Sequence, residues 1–323
     1  MAAGADSRVR HKLRLDPDEA LRAAVERTLA VGVDAISNEQ PAAAAGQVEP
    51  IHQFRVAIRR LRAAIDLFAT AMHATQVRIL KRDLGWCASQ AGVVRECDVV
   101  EQIIGARGGR IEPSLTQSLQ EIFHWLSARR RAEQENLGAT LESKRYLALI
   151  ARLAKPALRK LPEATLESAA PALLQPMVRA TIRAGTNLSE DAPTDAFHRL
   201  RIRVKRLRFA AELLSQLGGK RMRKAARRLE DLQELLGTYN DVAVAITYLH
   251  LYAGSEGARP EAVLAAGELI HSLVARQRKL GRRSLKAFKR FERAGISADM
   301  LIEARSTVKE QRAHVETGAE SAA

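Results

Sequence analysis

Residues 52–62 read HQFRVAIRRLR, and residues 198–208 read HRLRIRVKRLR. Five of the eleven aligned positions are identical, and four more are conservative exchanges: Phe54/Leu200, Val56/Ile202, Ile58/Val204 and Arg59/Lys205. Wound at about 100° per residue, the first copy gathers Phe54, Ile58, Leu61, Ile65 and Phe68 on one side of a helix. His52, Arg55, Arg59 and Arg62 fall on a stripe bordering that apolar face. In the second copy Leu200, Val204, Leu207, Ala211 and Leu214 make the apolar side, and His198, Arg201, Lys205 and Arg208 make the stripe. Ten residue steps separate the ends of each stripe, about 15 Å of helix.

Cations stacked at i, i+4 and i+7 repel one another and disfavour the free helix. Placed beside a core face, they imply a crevice lined with charge of one sign, which focuses its field on an anion. The next helix of each half adds Arg78 and Arg82, and Arg223 and Arg227, as i, i+4 pairs that antiparallel neighbours could turn towards the same crevice. Arg60 and Arg206 point elsewhere on the wheel and are second-tier candidates. Asp66 and Glu212, four residues after Arg62 and Arg208, are expected to pair with them within their helices. Near helix N-termini, His52 and His198 would serve as phosphate donors. Glu49-x-x-His52 and Asp195-x-x-His198 have the spacing of di-metal bundle ligands. Glu49 precedes Pro50, however, and is expected at or before the helix N-cap, and no inward glutamates stand out on other helices, so no metal site is assigned.

The repeat continues beyond these helices. Ala64, Asp66, Leu67 and Phe68 match Ala210, Glu212, Leu213 and Leu214 at an offset of 146. Arg78, Arg82, Leu84, Gly92 and Val99 match Arg223, Arg227, Leu229, Gly237 and Val244 at an offset of 145. The one-residue slip falls in a loop, where length changes are tolerated. An internal duplication is the reading: two helical subdomains related by approximate two-fold symmetry.

The whole chain agrees with that reading. Its 323 residues are 46% hydrophobic but only 4% aromatic, and Ala, Leu, Arg and Glu dominate, a helix-forming composition. Apolar periodicity is helical throughout. Helices are expected from the Asp16-Pro17-Asp18-Glu19 capping signal to about Asn38, from Pro50 through the first stripe, and over 75–91, 95–105, 114–140 and 143–154. After the proline-rich stretch 155–176 they resume over 177–188, 193–217, 219–236, 240–254, 260–291 and 297–316. Residues 40–50 are expected to be a linker. A net charge of +15, from 52 Lys and Arg against 37 Asp and Glu, suggests a polyanionic partner. With two cysteines, Cys87 and Cys97, no disulfide framework is implied. The N-terminal residues lack the apolar core of a signal peptide, and no apolar run is long enough to span a membrane, so a soluble, cytoplasmic protein is expected.

The stretches HQFRVAIRRLRAAIDLF and AGVVRECDVV in the first half, with FHRLRIRVKRLRFAAELL and LLGTYNDVAV in the second, resemble the CHAD family, named for its conserved histidines in an α-helical domain. The resemblance covers residues 11–316 as a single domain, with one subdomain over about 11–155 and the other over about 171–316. Residues 1–10 and 317–323 are expected to be a flexible N-terminus and a frayed C-terminus. Two departures stand out: Glu96 replaces the first acid of an Arg-Asp-x-Asp pattern, and Phe209 stands where the family commonly has Tyr. The resemblance implies an all-α fold of two pseudo-symmetric four-helix bundles around a basic central groove or channel. It also implies binding of inorganic polyphosphate and association with polyphosphate granules. By motif position the phosphate contacts would be His52, Arg55, Arg59, Arg62, His198, Arg201, Lys205 and Arg208. Some members carry a fused triphosphate-tunnel catalytic domain; no acidic strand-rich segment of that kind is present, so the chain looks like the binding module alone.

Two other functions compete. A nucleic-acid-binding module would also use a basic surface, but aromatic stacking platforms are scarce and no helix-turn-helix, zinc-finger or RNA-binding signature appears. A metal-dependent phosphohydrolase would need a glycine-rich phosphate loop, clustered carboxylate ligands or a nucleophile–base pair, and none is recognisable. No cofactor is expected.

Overall fold

The computed structural model describes residues 13, 15–108, 117–160, 163–215, 217 and 219–293. The last expected helix, 297–316, lies outside them. Among the described residues the chain is all helical: α1 (Leu21–Ala44), α2 (Val48–Leu67), α3 (Ala74–Gly108), α4 (Leu119–Glu142), α5 (Lys144–Ala154), α6 (Leu166–Thr186), α7 (Thr194–Leu213), α8 (Gly219–Ala253) and α9 (Pro260–Arg293). In the first half α1 packs on α2, α2 on α3 and α3 on α4, with the short α5 beside α1 and α3; in the second, α6 packs on α7, α7 on α8 and α8 on α9.

The two stripe-bearing helices are 20 residues each and begin 146 residues apart. The helices that follow are 35 residues each and begin 145 apart. The structure thus reproduces both sequence offsets, with the slip in the turn between. Each apolar face lies where the wheel puts it: Phe54, Ile58, Leu61, Ile65 and Phe68 are at most 1% exposed, and Leu200, Val204, Leu207, Ala211 and Leu214 are fully buried. Beyond those faces α2 also buries Gln53, Val56, Ala57, Ala63 and Ala64. It touches α1, α3 and α7 together.

Several boundaries differ from the sequence reading, each for a tertiary reason. The turn at Asp16–Glu19 forms, with the Glu19 side chain accepting from Asp16 N at 2.9 Å, but α1 starts after it. The backbone there is claimed by the connector between the halves: Leu21 N donates to Ala164 O (3.0 Å) and Leu166 N to Glu19 O (2.9 Å). At its other end α1 runs through Pro41 to Ala44, so only the turn around Gly46, at φ +82°, separates it from α2. Pro50 and Glu49 both lie inside the first turn of α2, where a missing N–H costs nothing.

α3 and α8 are continuous where gaps were expected at 92–94 and 237–239. The proline-rich stretch is a separator only in its first part. α6 opens at Leu166, capped by the Thr165 hydroxyl accepting from Ser168 N at 3.2 Å, and carries Pro171 and Pro176 inside it. Buried Leu166, Ala170, Leu173, Leu174 and Val178 outweigh the two hydrogen bonds the prolines remove. Residues 157–159 are strapped to the first half by His73 N donating to Ala157 O and Arg159 N to Ala71 O, each at 3.0 Å.

The halves meet chiefly through α3 against α8 and α2 against α7. That juxtaposition makes the site.

Candidate functional site

Because α2 and α7 pack side by side, their stripes are brought together rather than turned to opposite surfaces. One cavity is lined by Val56, Arg59, Arg60 and Ala63 of α2 and by Lys205, Arg206, Arg208, Phe209 and Glu212 of α7, with Gln233 contributed by α8. Arg60 and Arg206, expected elsewhere on the wheel, thus border it because the two helices pack side by side. His52, Arg55, Arg59 and Arg62 are half-buried, as are Arg201, Lys205 and Arg208; His198 is exposed.

The titration behaviour of these groups shows who their neighbours are. Lys205 is held well below the ordinary lysine range, first by burial and then by Arg201, Arg59 and Arg55, with Asp241 the opposing charge. Burial also lowers Arg55, where Arg201 and Arg95 add to the effect against Glu96 and Asp241. Arg201 is lowered by burial against Asp241 and Glu96. Burial pushes the Glu96 carboxyl up, against the pull of Arg55, the Tyr248 hydroxyl and Arg201. Cations of α2 and α7 therefore share one poorly hydrated space with a carboxylate from α3 and another from α8.

Specific contacts fix the rim. Arg55 Nη1 donates to Gly92 O at 2.7 Å, anchoring the stripe to α3. His198 Nδ1 lies 2.6 Å from Asn240 Oδ1; facing an amide oxygen, it donates, which leaves Nε2 available. Arg208 Nη1 is 2.7 Å from Glu230 and 3.4 Å from Glu212, the expected intrahelical pair. Asp66 does not pair with Arg62 as its spacing suggests. It binds Arg206 across the interface at 2.8 Å and Lys81 at 2.5 Å. The Nε–H groups of Arg201 and Arg208 are buried without a hydrogen-bond acceptor among the described residues. Buried donors normally have a partner, and these two have none among the described residues.

The arginines expected from the helices that follow each stripe are less tightly associated with this space. Arg82 donates to Asp83, a buried carboxylate also held by Arg145 and approached by Arg152 of α5, so its head group lies towards α5. Arg78, Arg223 and Arg227 are exposed on α3 and α8. Sequence reasoning missed Glu96, Asp241 and Asn240 as site groups. Glu96 and Asp241 correspond at the 145 offset, a signal that could have found them. Among the described residues no group of three His, Cys, Asp or Glu side chains could hold a metal ion, and no helix is long and apolar enough to cross a membrane. Cys87 and Cys97 are buried free thiols; burial pushes Cys97 up, and Cys87 to about 12.

The fold has parallels among solved structures. The crystal structure of the CHAD domain from the plant Ricinus communis superposes with a TM-score of 0.69 at 26% identity, covering 85% of this chain and 94% of that one. PptA from Streptomyces chartreusis shares the fold, with a TM-score of 0.67 at 16% identity over 85% of this chain and all of that one. No curated protein matches the chain. The model of the CHAD domain matches residues 27–250, a span from within α1 to near the end of α8 that contains both stripes, and the chain belongs to the CHAD family.

Proposed function

We propose that this protein binds inorganic polyphosphate, without turning it over, in the groove between α2 and α7. The observation that carries the reading is the convergence of Arg59 with Lys205 and Arg208 on one cavity beside the unpartnered Nε–H groups of Arg201 and Arg208. Guanidinium forks suit the tetrahedral oxyanions of polyphosphate, and family membership points the same way. The halves are read as products of a duplication, so that one long ligand meets two equivalent stripes. Location on polyphosphate granules would follow from that affinity.

The deciding experiment is titration with polyphosphates of defined length. Engagement of the second stripe by an already bound chain is intramolecular and can raise affinity by roughly 10²–10⁴. Affinity should climb from tripolyphosphate to chains spanning both stripes and then level off. Equal affinity for three phosphates and for several tens would refute a shared groove. Displacement of polyphosphate by duplex DNA at physiological salt would favour the nucleic-acid reading, and phosphate release with Mg²⁺ would favour hydrolysis.

A further inference from the structure

On the other side of α7, about 150° round the helix from the stripe, lies a second basic concavity that shares only Arg206 with the lining of the groove. It opens between α6 and α7 and measures about 550 Å³, within the range of small-molecule sites, roughly 300–1,000 Å³. Arg183 comes from α6 and Arg199, Arg203 and Arg206 from α7, and no acidic residue lines it. Its floor is apolar, with Ile202 and Leu188 among small alanine side chains, and Asn187 stands at the end of α6.

Not all of these charges need a ligand to explain them. Arg183, in the last turn of α6, complements the helix dipole, and Arg206 is held by Asp66. Arg199 and Arg203 are different: four residues apart, they repel along the helix. Arg206 feels the same field, its pKa lowered first by burial and then, against Asp66, by Arg62 and Arg203. Among the residues that line the concavity no acid offsets Arg199 and Arg203.

We propose that the α6–α7 concavity is a nucleotide site, taking a nucleoside di- or triphosphate with its phosphates on the arginine rim and its base on the apolar floor. Bare phosphate would use the rim alone. The floor supplies a face for a flat ring, guanidinium planes stack on such rings and fork onto phosphates, and the Asn187 amide offers a donor and an acceptor for the base edge. This site stands independently of the groove reading.

The test uses the full chain and a fluorescent ATP analogue, displaced by ATP, inorganic tripolyphosphate or adenosine. ATP should displace it at least about tenfold better than either competitor, since each lacks one half of the recognition. Arg199→Glu combined with Arg203→Glu should weaken ATP by more than about tenfold, and the milder Arg203→Gln should weaken it in the same direction with an unchanged melting curve. Lys205→Glu, which disables the groove, should leave ATP affinity within about twofold. Tripolyphosphate competing as well as ATP would overturn the base contact. Loss of ATP binding in Lys205→Glu but not in Arg203→Gln would place the nucleotide in the groove and overturn the site.

Discussion

Replacing Lys205 by Met should weaken polyphosphate binding and at the same time raise thermal stability. Lys205 is half-buried in the wall shared by the stripes. Its ammonium feels Arg201, Arg59 and Arg55 against one opposing carboxylate, Asp241. The free protein therefore carries this charge at a cost, and a linear apolar side chain of similar length removes both the repulsion and the desolvation. Each 1 kcal/mol recovered should raise Tm by about 2 °C in a chain of this size. Binding should move the other way. A charge-assisted hydrogen bond is worth ~1.5–3 kcal/mol, and ~1.4 kcal/mol is tenfold in Kd, so affinity should fall roughly 10- to 100-fold. The salt dependence should flatten by about one counterion, by analogy with phosphate contacts to nucleic acids. Fluorescence anisotropy with end-labelled long-chain polyphosphate, run beside a thermal melt, reads both quantities. A variant that binds normally but melts earlier would show that Lys205 serves packing, and would refute the argument.

Lys205 also sets a pH dependence. Its folded pKa lies well below that of a free lysine, so its contribution to stability is present above the unfolded pKa and lost as pH falls through the folded value. A bound polyanion favours the ammonium and raises its pKa in the complex, so affinity should fall as pH rises above the folded value of the free protein; Lys205→Arg should flatten the profile, and an unchanged slope in isothermal titration would rule the residue out. Glu96→Gln should strengthen binding by about 3- to 10-fold by removing a carboxylate from the groove, and an affinity at or below that of the parent would show that Glu96 is needed to position Arg55. Asp83→Asn should cost about 1–3 kcal/mol in chemical denaturation, since a buried carboxylate loses charged donors from Arg82 and Arg145. Burial raises the Asp83 pKa, but those arginines hold it lower overall, so the contribution of Asp83 is present above the unfolded pKa and lost in acid as pH falls through the folded one. Polyphosphate affinity should survive this change, and a parallel loss would put Arg82 on the ligand's track.

What could be read from the sequence was what a single helix determines. The stripes, their apolar backs and both offsets follow from 3.6-residue periodicity, and all reappear in α2, α3, α7 and α8. What could not be read depends on neighbours. The gaps expected at 92–94 and 237–239 each open on a glycine, which weakens an isolated helix by about 1 kcal/mol, yet α3 and α8 run through them and pack against each other across the halves. Pro171 and Pro176 misled in the same way. Asp66 illustrates the difference at a single side chain: spacing offered Arg62, but the fold presented Arg206 and Lys81 at closer range. The acids of the groove were invisible for a related reason. Glu96 and Asp241 fall near the starts of the expected helices 95–105 and 240–254, where acids are common whatever they face.

Those acids explain how a basic groove can exist before its ligand arrives. Half-buried cations from two helices would force α2 and α7 apart unless some negative charge lay between them. Glu96 and Asp241 supply it from α3 and α8, the helices that follow each stripe, at positions matched by the 145 offset. They do so incompletely. Cations still outnumber them around Lys205, and the Nε–H groups of Arg201 and Arg208 remain without acceptors. The remaining imbalance is what a phosphate chain would satisfy. Glu96 is also the acid that burial has already biased towards its neutral form, so an incoming polyanion can drive it to take up a proton instead of facing a fixed like charge. In this reading the duplication gives the groove length for a polymer, and the two internal carboxylates keep the unliganded seam closed while leaving its charge unsatisfied.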